Sequence, residues 1–521
     1  MVTASELPIN TNASAMQMAQ TIFGDGVTVV NASYSGDSRS SGIYSNGDSV
    51  SADATPGDTG VILSTGRAQD FTNSRGQANQ DTSTSTNTWG QSNNSQFNSA
   101  AGARTYDAAF MDVDFIPTGN VMTMEFNFSS EEYPEFQNSI YQDFVGVWIN
   151  GQIVDLAVGN GDIDVGNVNP TNNVNVYLNN QSDDYNTEMD GLTITMTLTM
   201  VVNPDVVNSI RIGIADVADA NYDSNILIAA NSVQTELVAI EDVFTIYPNG
   251  TKTLNVLSND VNATGGTLTI THLNGIPVNA GDTITLATGQ TVTLNADGTV
   301  TVVGDGNVEQ VTFTYGVEST SGDDDTGFII IDSIPCFVAG TRIETPNGPR
   351  LVESLIPGDM IMTQDDGPQP LRWIGSRAVR ARGAFAPVRI AAGTFGDHGR
   401  LMLSPLHRVL VRDAMAELLF GDREVLVAAR DLVDGTSVTI CEGDLVTYVH
   451  LLFDRHQVIF AEGLATESFL PGPQTTNSFE ADIIEEICGI FPEIDPKTGD
   501  GYSPAARRLL RGFEARLLTA A

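Results

Sequence analysis

The chain is predicted to be mainly β, built from several small sheet domains and closed by a short helical tail. Three observations predict this. Stretches such as Val121–Phe128 and Leu192–Met200 alternate apolar and polar residues with the period of a strand. Clusters of Gly, Asn and Asp separate them, as turns require. The chain has 521 residues, too many for one ordinary core, so two to four domains are expected. The reading divides it at 1–236, 237–332, 333–472 and 473–521. In the first part a β-sandwich is the simplest container for the strands. Ala15–Phe23 can form one short helix there, and the polar tract Gln77–Ser99 reads as loop. The tail Ser503–Ala520 has helical apolar spacing with Pro504 at an N-terminal helix position.

Charge narrows the partners. The formal net charge is −41, and residues 1–332 carry 6 basic and 40 acidic side chains against 18 and 25 in residues 333–521. Such a field repels nucleic-acid phosphates and anionic lipid heads, so no nucleic-acid partner is expected, whereas calcium suits it. Lysine occurs only at 252 and 497, and the front is rich in Asn, Thr, Ser, Gly and Asp, the composition of a secreted or cell-surface β protein. Cys336, Cys441 and Cys488 all lie in the last third, so the front has no disulfide framework. The N-terminus lacks a basic stretch followed by an apolar core, and no run of 18 apolar residues occurs. Neither a classical signal peptide nor a transmembrane segment is expected.

In the front domain, Phe126–Phe136 (FNFSSEEYPEF), Asp143–Gly151 (DFVGVWING) and Gly60–Gly66 (GVILSTG) resemble the choice-of-anchor L domain of bacterial surface proteins. Within it, Asp216, Asp219 and Asp223 follow an apolar strand at i, i+3 and i+7. Such oxygen-rich spacing suits calcium, with Glu131, Glu132, Glu135 and Asp143 as further donors if the loops converge. The same residues equally serve as solvated turn formers. No cofactor is otherwise required. Residues 237–332 follow, where Glu241–Ile246 (EDVFTI) and Leu254–Asp260 (LNVLSND) resemble the cadherin-like or Ig-like modules of bacterial surface proteins. Thr283–Leu286, Gln290–Leu294 and Thr299–Val302 alternate cleanly, Asn295–Gly298 supplies a turn, and Phe328–Asp332 is a last strand. One such module reads as a spacer.

The segment Pro335–Thr345 (PCFVAGTRIET), followed by Gly348 and Val352–Asp359 (VESLIPGD), resembles the opening of Hint domains of the hedgehog and intein type. The resemblance implies an all-β, horseshoe-like domain whose first residue, Cys336, attacks its own preceding peptide bond. Chemistry then asks for three things. The thiol must reach the Pro335 carbonyl to turn amide into thioester. Its pKa of about 8.5 requires help in losing the proton. The departing Cys336 nitrogen needs a proton donor. Leu401–Leu410 (LMLSPLHRVL) resembles the family's TxxH block, placing Ser404 at the threonine position to orient the amide and His407 at the histidine to protonate the leaving nitrogen.

A third block, Thr447–Ser468, resembles the family's late strand pair, with His456 at its characteristic histidine. Inteins often carry Asp after the tyrosine; here Val449 stands there, followed by His450. The group that deprotonates the thiol is therefore left open among His450, His456 and Asp454, and His450 equally fits a polar hairpin position. Cys441 is either a second-step thiol or a small buried residue, and Cys488 is given no role. Splicing needs a terminal Asn, and the nearest, Asn477–Ser478, follows Thr476 well past the late block. Single-turnover self-cleavage is expected instead, with residues 1–335 as passenger and substrate. Water, a thiol or an amine is the final nucleophile. No sterol-recognition extension is evident. The rival expectation is a non-catalytic, calcium-binding adhesin or surface-structural protein with an inactive Hint fold.

Overall fold

A computed structural model describes residues 2–80, 83–137, 139–159, 161–245, 251–305, 311–332, 337–379, 381, 386–443, 445–470, 491, 502–510 and 515. Pro335, Cys336, Asn477, Ser478 and Cys488 lie outside the described residues.

The front is built on two main antiparallel sheets, as its period-2 patterning predicts. One has five strands in the order Val27–Ser35, Thr105–Pro117, Asn208–Val217, Phe144–Ile149 and Gln152–Ile153. The other centres on Gly60–Ser64, Ser224–Ala229 and Glu125–Ser130. These three central strands, and Phe144–Ile149, are buried at every position, so both faces are covered; Gly60–Ser64, Phe144–Ile149 and Ser224–Ala229 carry apolar runs, whereas Glu125–Ser130 keeps its alternation. Ala15–Ile22 is a helix with a capping box between Ser14 and Gln17, and Met18, Ala19 and Ile22 bury its apolar face. The expected loop at 77–99 contains one departure. Ser95–Ala101 is helical because Asn94 Oδ1 accepts the N–H groups of Gln96 and Phe97, while Phe97 packs edge-on to Trp148 at 4.9 Å. Polar composition hid a helix that one cap and one aromatic anchor suffice to hold. Leu192–Met200 is likewise interrupted into Gly191–Thr193, Met196–Thr197 and Met200–Val201.

The turn from Gly60–Ser64 runs against the acidic loop. A Cβ on Gly66 would stand 1.8 Å from Asp223 Oδ2, and Asp223 is itself buried. Gly66→Ala is therefore expected to cost the front domain about 1–3 kcal/mol, as other overpacking changes do. A lowered urea midpoint at unchanged slope checks it.

In the second module, Leu268–Leu273 pairs antiparallel with Val311–Ser319 and with Ile276–Pro277, and Thr283–Thr285 pairs with Thr291–Leu294. The Asn295–Gly298 turn is present, with Gly298 at φ +82°, where only glycine is unstrained.

The C-terminal third contains a six-stranded sheet in the order Trp373–Val379, Val446–Leu452, Phe337–Val338, Leu401–Leu403, Val388–Ile390, Val438–Ile440. A second sheet runs Arg350–Leu351, Arg342–Ile343, Val458–Ala461, Leu464–Glu467, Arg408–Arg412, Glu424–Ala428, Arg508–Leu509, with Met360–Thr363 and Gly367–Pro370 branching from it. Their shared core includes Phe337, Ile343, Leu403, Val409, Val427, Val449 and Ile459. The tail departs from its expected helix at 503–510. Arg508–Leu509 adds a parallel strand to Val425–Leu426, and Leu510 drops into the core. An unpaired sheet edge offered hydrogen bonds that an isolated short helix could not match. Farther on, Ala515 is helical and buried. Among the described residues no helix is long and apolar enough to cross a membrane.

Candidate active site

Phe337 and Val338, the first described residues after Cys336, lie between two strands. Phe337 pairs with Leu403 on one side and Val449 on the other. Leu403 leads directly into the turn Ser404-Pro405-Leu406-His407, closed by a hydrogen bond from the His407 N–H to the Ser404 carbonyl at 3.1 Å. Pro405 occupies the position of that turn where its fixed φ is favoured. Ser404 and His407 are both buried, and the His407 ring lies 4.2 Å from that of Phe337. Strand pairing thus assembles Phe337, Ser404 and His407 from segments about 70 residues apart in sequence.

Neither ring nitrogen of His407 makes a hydrogen bond of ordinary geometry among the described residues, although the ring faces the Glu467 backbone, which favours its protonated form. Burial lowers its pKa to about 4 against the opposing pull of the Glu467 carboxylate, so the imidazole is neutral at pH 7. A fully buried histidine whose nitrogens make no hydrogen bond of ordinary geometry among the described residues calls for an explanation.

His450 is buried opposite Gly375, its ring 5.4 Å from Phe469 and 6.5 Å from Trp373. Val449, where inteins often carry Asp, is fully buried in the apolar core, an environment that penalises a carboxylate. Asp454 is exposed and pairs with Arg372 at 3.0 Å. His456 is buried with both ring nitrogens engaged. Nδ1 accepts the Ala506 N–H at 2.9 Å, which places the proton on Nε2, 3.1 Å from the Ser468 carbonyl and 3.5 Å from Glu467 Oε2. Cys441 is partly exposed, with its thiol 3.9 Å from the Thr439 carbonyl.

Glu467 was not singled out from the sequence. It is buried, it accepts the Arg408 backbone N–H at 2.9 Å, and the Arg408 guanidinium lies 3.5 Å away. Burial alone would raise its pKa; Arg408 and His456 outweigh that and hold it down to about 2. The only sequence signal was a carboxylate at the end of the short strand Leu464-Ala-Thr-Glu467.

In the front domain, Asp216 and Asp223 are buried, Asp219 between them is half-buried with its Oδ1 turned to the Asn221 N–H, and Glu135 is exposed. Asp143 joins Asp216 instead, its Oδ2 accepting from Ser224 Oγ at 2.6 Å and its N–H donating to Glu132 Oε2 at 3.0 Å. Glu131 and Glu132 are buried as well. Burial, followed by neighbouring like charge, raises the pKa of Glu132 and Asp216; burial is also the main cause at Asp143, and it lifts Asp223 to about 7. Among the described residues no three His, Cys, Asp or Glu side chains are arranged to hold a metal ion. The strand Asn208–Val217 ends before Asp219, and the Asp219 Oδ1 accepts the Asn221 N–H at 3.1 Å.

A Hint family model matches residues 335–473, the segment holding this arrangement. Residues 335–473 are a Hint domain. A choice-of-anchor L model matches residues 6–234 and a bacterial Ig model residues 234–332 ahead of the Hint domain. Among solved structures, the gp41-1 intein is similar at 10% identity and a TM-score of 0.17, covering 26% of this chain and 98% of the intein. The M60 catalytic domain with two CBM51 domains from Clostridium perfringens ZmpB is similar at 8% identity and a TM-score of 0.15, covering 85% and 43%. The major pilin RrgB of Streptococcus pneumoniae follows at 11% identity and a TM-score of 0.13, covering 70% and 62%. No curated protein matches the chain.

Proposed function

We propose that the Hint domain cleaves the peptide bond between Pro335 and Cys336, once per chain, and so releases or transfers the acidic β-rich passenger of residues 1–335. The observation that carries this reading is His407: buried, neutral, with no hydrogen bond of ordinary geometry on either ring nitrogen among the described residues, and its ring 4.2 Å from that of Phe337. Cys336 is bonded to Phe337, one Cα–Cα step of about 3.8 Å away. A neutral imidazole there can take the proton from the Cys336 thiol. The thiolate attacks the Pro335 carbonyl carbon, the carbon–nitrogen bond breaks, and the imidazolium returns the proton to the departing Cys336 nitrogen. One residue then serves as both base and acid, and the vacancy left by Val449 needs no second carboxylate. Buried Ser404, one turn away, offers the hydroxyl that orients the amide. Water, a thiol or an amine resolves the thioester. The anchor-type and Ig-type domains ahead of it support a secreted or cell-surface destination for the passenger.

Intact-mass analysis of the purified chain tests the proposal. Fragments split between Pro335 and Cys336, formed faster with dithiothreitol or hydroxylamine, are expected. Persistence of the 521-residue species alone, indistinguishable from Cys336→Ala, would overturn it.

A further inference from the structure

The Hint family match ends at residue 473, yet residues 502–510 are built into the same domain. Tyr502 Oη donates to the Phe453 carbonyl at 2.5 Å, and Ser503 Oγ accepts the His456 N–H at 2.7 Å. The Ala506 N–H donates to His456 Nδ1 at 2.9 Å. Arg507 reaches Glu424 at 2.7 Å and Asp365 at 2.8 Å, and Arg508–Leu509 extends the sheet. Two of these contacts, from Ser503 and Ala506, hold His456, whose Nε2–H side faces Ser468 and Glu467. Glu467 in turn accepts the N–H of the peptide that joins His407 to Arg408.

We propose that Glu467 is a positioning residue for His407, and that the segment 502–510 is a second positioning element, acting on Glu467 through His456. The Ala506 N–H fixes the His456 tautomer. That tautomer presents an N–H toward the Glu467 carboxylate, whose other oxygen anchors the backbone between His407 and Arg408. The groups facing Glu467 from the packed elements are Arg408 at the start of one strand, His407 in the turn before it, and His456 just before another strand. The chain distal to the family match is thereby part of the site. This inference rests on the cleavage reading for its effect on rate, but its geometry is testable without it.

Ala506→Pro removes the single N–H that holds His456 Nδ1, and Glu467→Gln keeps shape but removes charge. Arg507→Ala loosens the tail's ion pairs and leaves the Ala506 N–H in place. The chain has 5 histidines, so nitrogen-15 histidine spectra of the full-length Cys336→Ala protein can resolve each ring. The parent is expected to show His456 protonated on Nε2 only; Ala506→Pro should give mixed tautomers, and Arg507→Ala the parent pattern. Glu467→Gln should move the His407 titration to lower pH. In chains that retain Cys336, both Ala506→Pro and Glu467→Gln should slow cleavage about tenfold and shift its pH profile, the effect of one charge-assisted hydrogen bond. Unchanged tautomer, titration and pH profile in both variants would overturn the positioning roles. If the parent does not cleave, the spectra alone decide this inference while the proposed function falls.

Discussion

His407→Gln is expected to slow release of the passenger by about 10²–10⁴-fold, the range for loss of a positioned proton-transfer group. Glutamine retains a polar side chain of similar reach but cannot cycle a proton, so the thiol keeps its hydrogen and the amide nitrogen leaves unaided. The measurement is the cleavage half-time by intact mass, with far-UV circular dichroism confirming that the variant folds. Cleavage at the parental rate would remove His407 from the chemistry. The same residue should also shape stability. The folded ring has a pKa of about 4, below the ordinary value of about 6.5. Between those two pH values the unfolded chain binds a proton that the folded ring refuses, so stability is complete above pH 6.5 and declines as pH falls toward 4. The loss is about 3 kcal/mol. Thermal unfolding of the parent and His407→Gln at pH 7.5 and 5 should converge at the lower pH.

The front domain should respond to pH in the opposite sense. Asp223, with a pKa raised to about 7 by burial, keeps its proton when folded and loses it when unfolded over the range from about 4 to 7. Its stabilising contribution is complete below pH 4 and is lost as pH rises through 7. Between pH 5 and pH 8 this one residue removes roughly 3 kcal/mol, about 5–10 °C in Tm. Glu132, Asp143 and Asp216, all raised by burial, push the same way. Calorimetry of the full chain at pH 5 and pH 8 checks this, and Asp223→Asn should flatten the dependence. Calcium seated on Asp216 and Asp223 would need both ionised, so a rise in Tm at pH 8 on adding millimolar calcium would instead favour the calcium-stiffened adhesin reading. No change with calcium would favour buried carboxylic acids.

Much of the site was legible because its chemistry is concentrated in short blocks. The segment around Ser404 and His407 names a turn and a histidine within four residues, and a local turn needs no tertiary information to form. Glu467 was not legible. Its role depends on the Arg408 N–H and on His456, which reach it only after two strands pair and the chain turns back. The open choice among His450, His456 and Asp454 could not be narrowed by sequence, since all three lie within seven residues. Packing separated them: Asp454 is drawn outward to Arg372, His450 lies against aromatic rings, and His456 is clamped by the tail. In the acidic loop the spacing of Asp216, Asp219 and Asp223 did not reveal that the distant Asp143 bonds to Asp216, a contact that only folding brings about.

By itself the sequence determined the mainly β class, the succession of domain types and the family of the last domain, because strand periodicity and turn chemistry are local. Only the tertiary structure decided which groups lose their water. Burial makes His407 neutral and holds front-domain carboxylates protonated, while sheet-edge pairing turns part of an expected tail helix into a strand, with Ser503 and Ala506 just before it bonded to His456. Desolvation and sheet-edge pairing depend on what the rest of the chain brings near, which no short stretch of residues records.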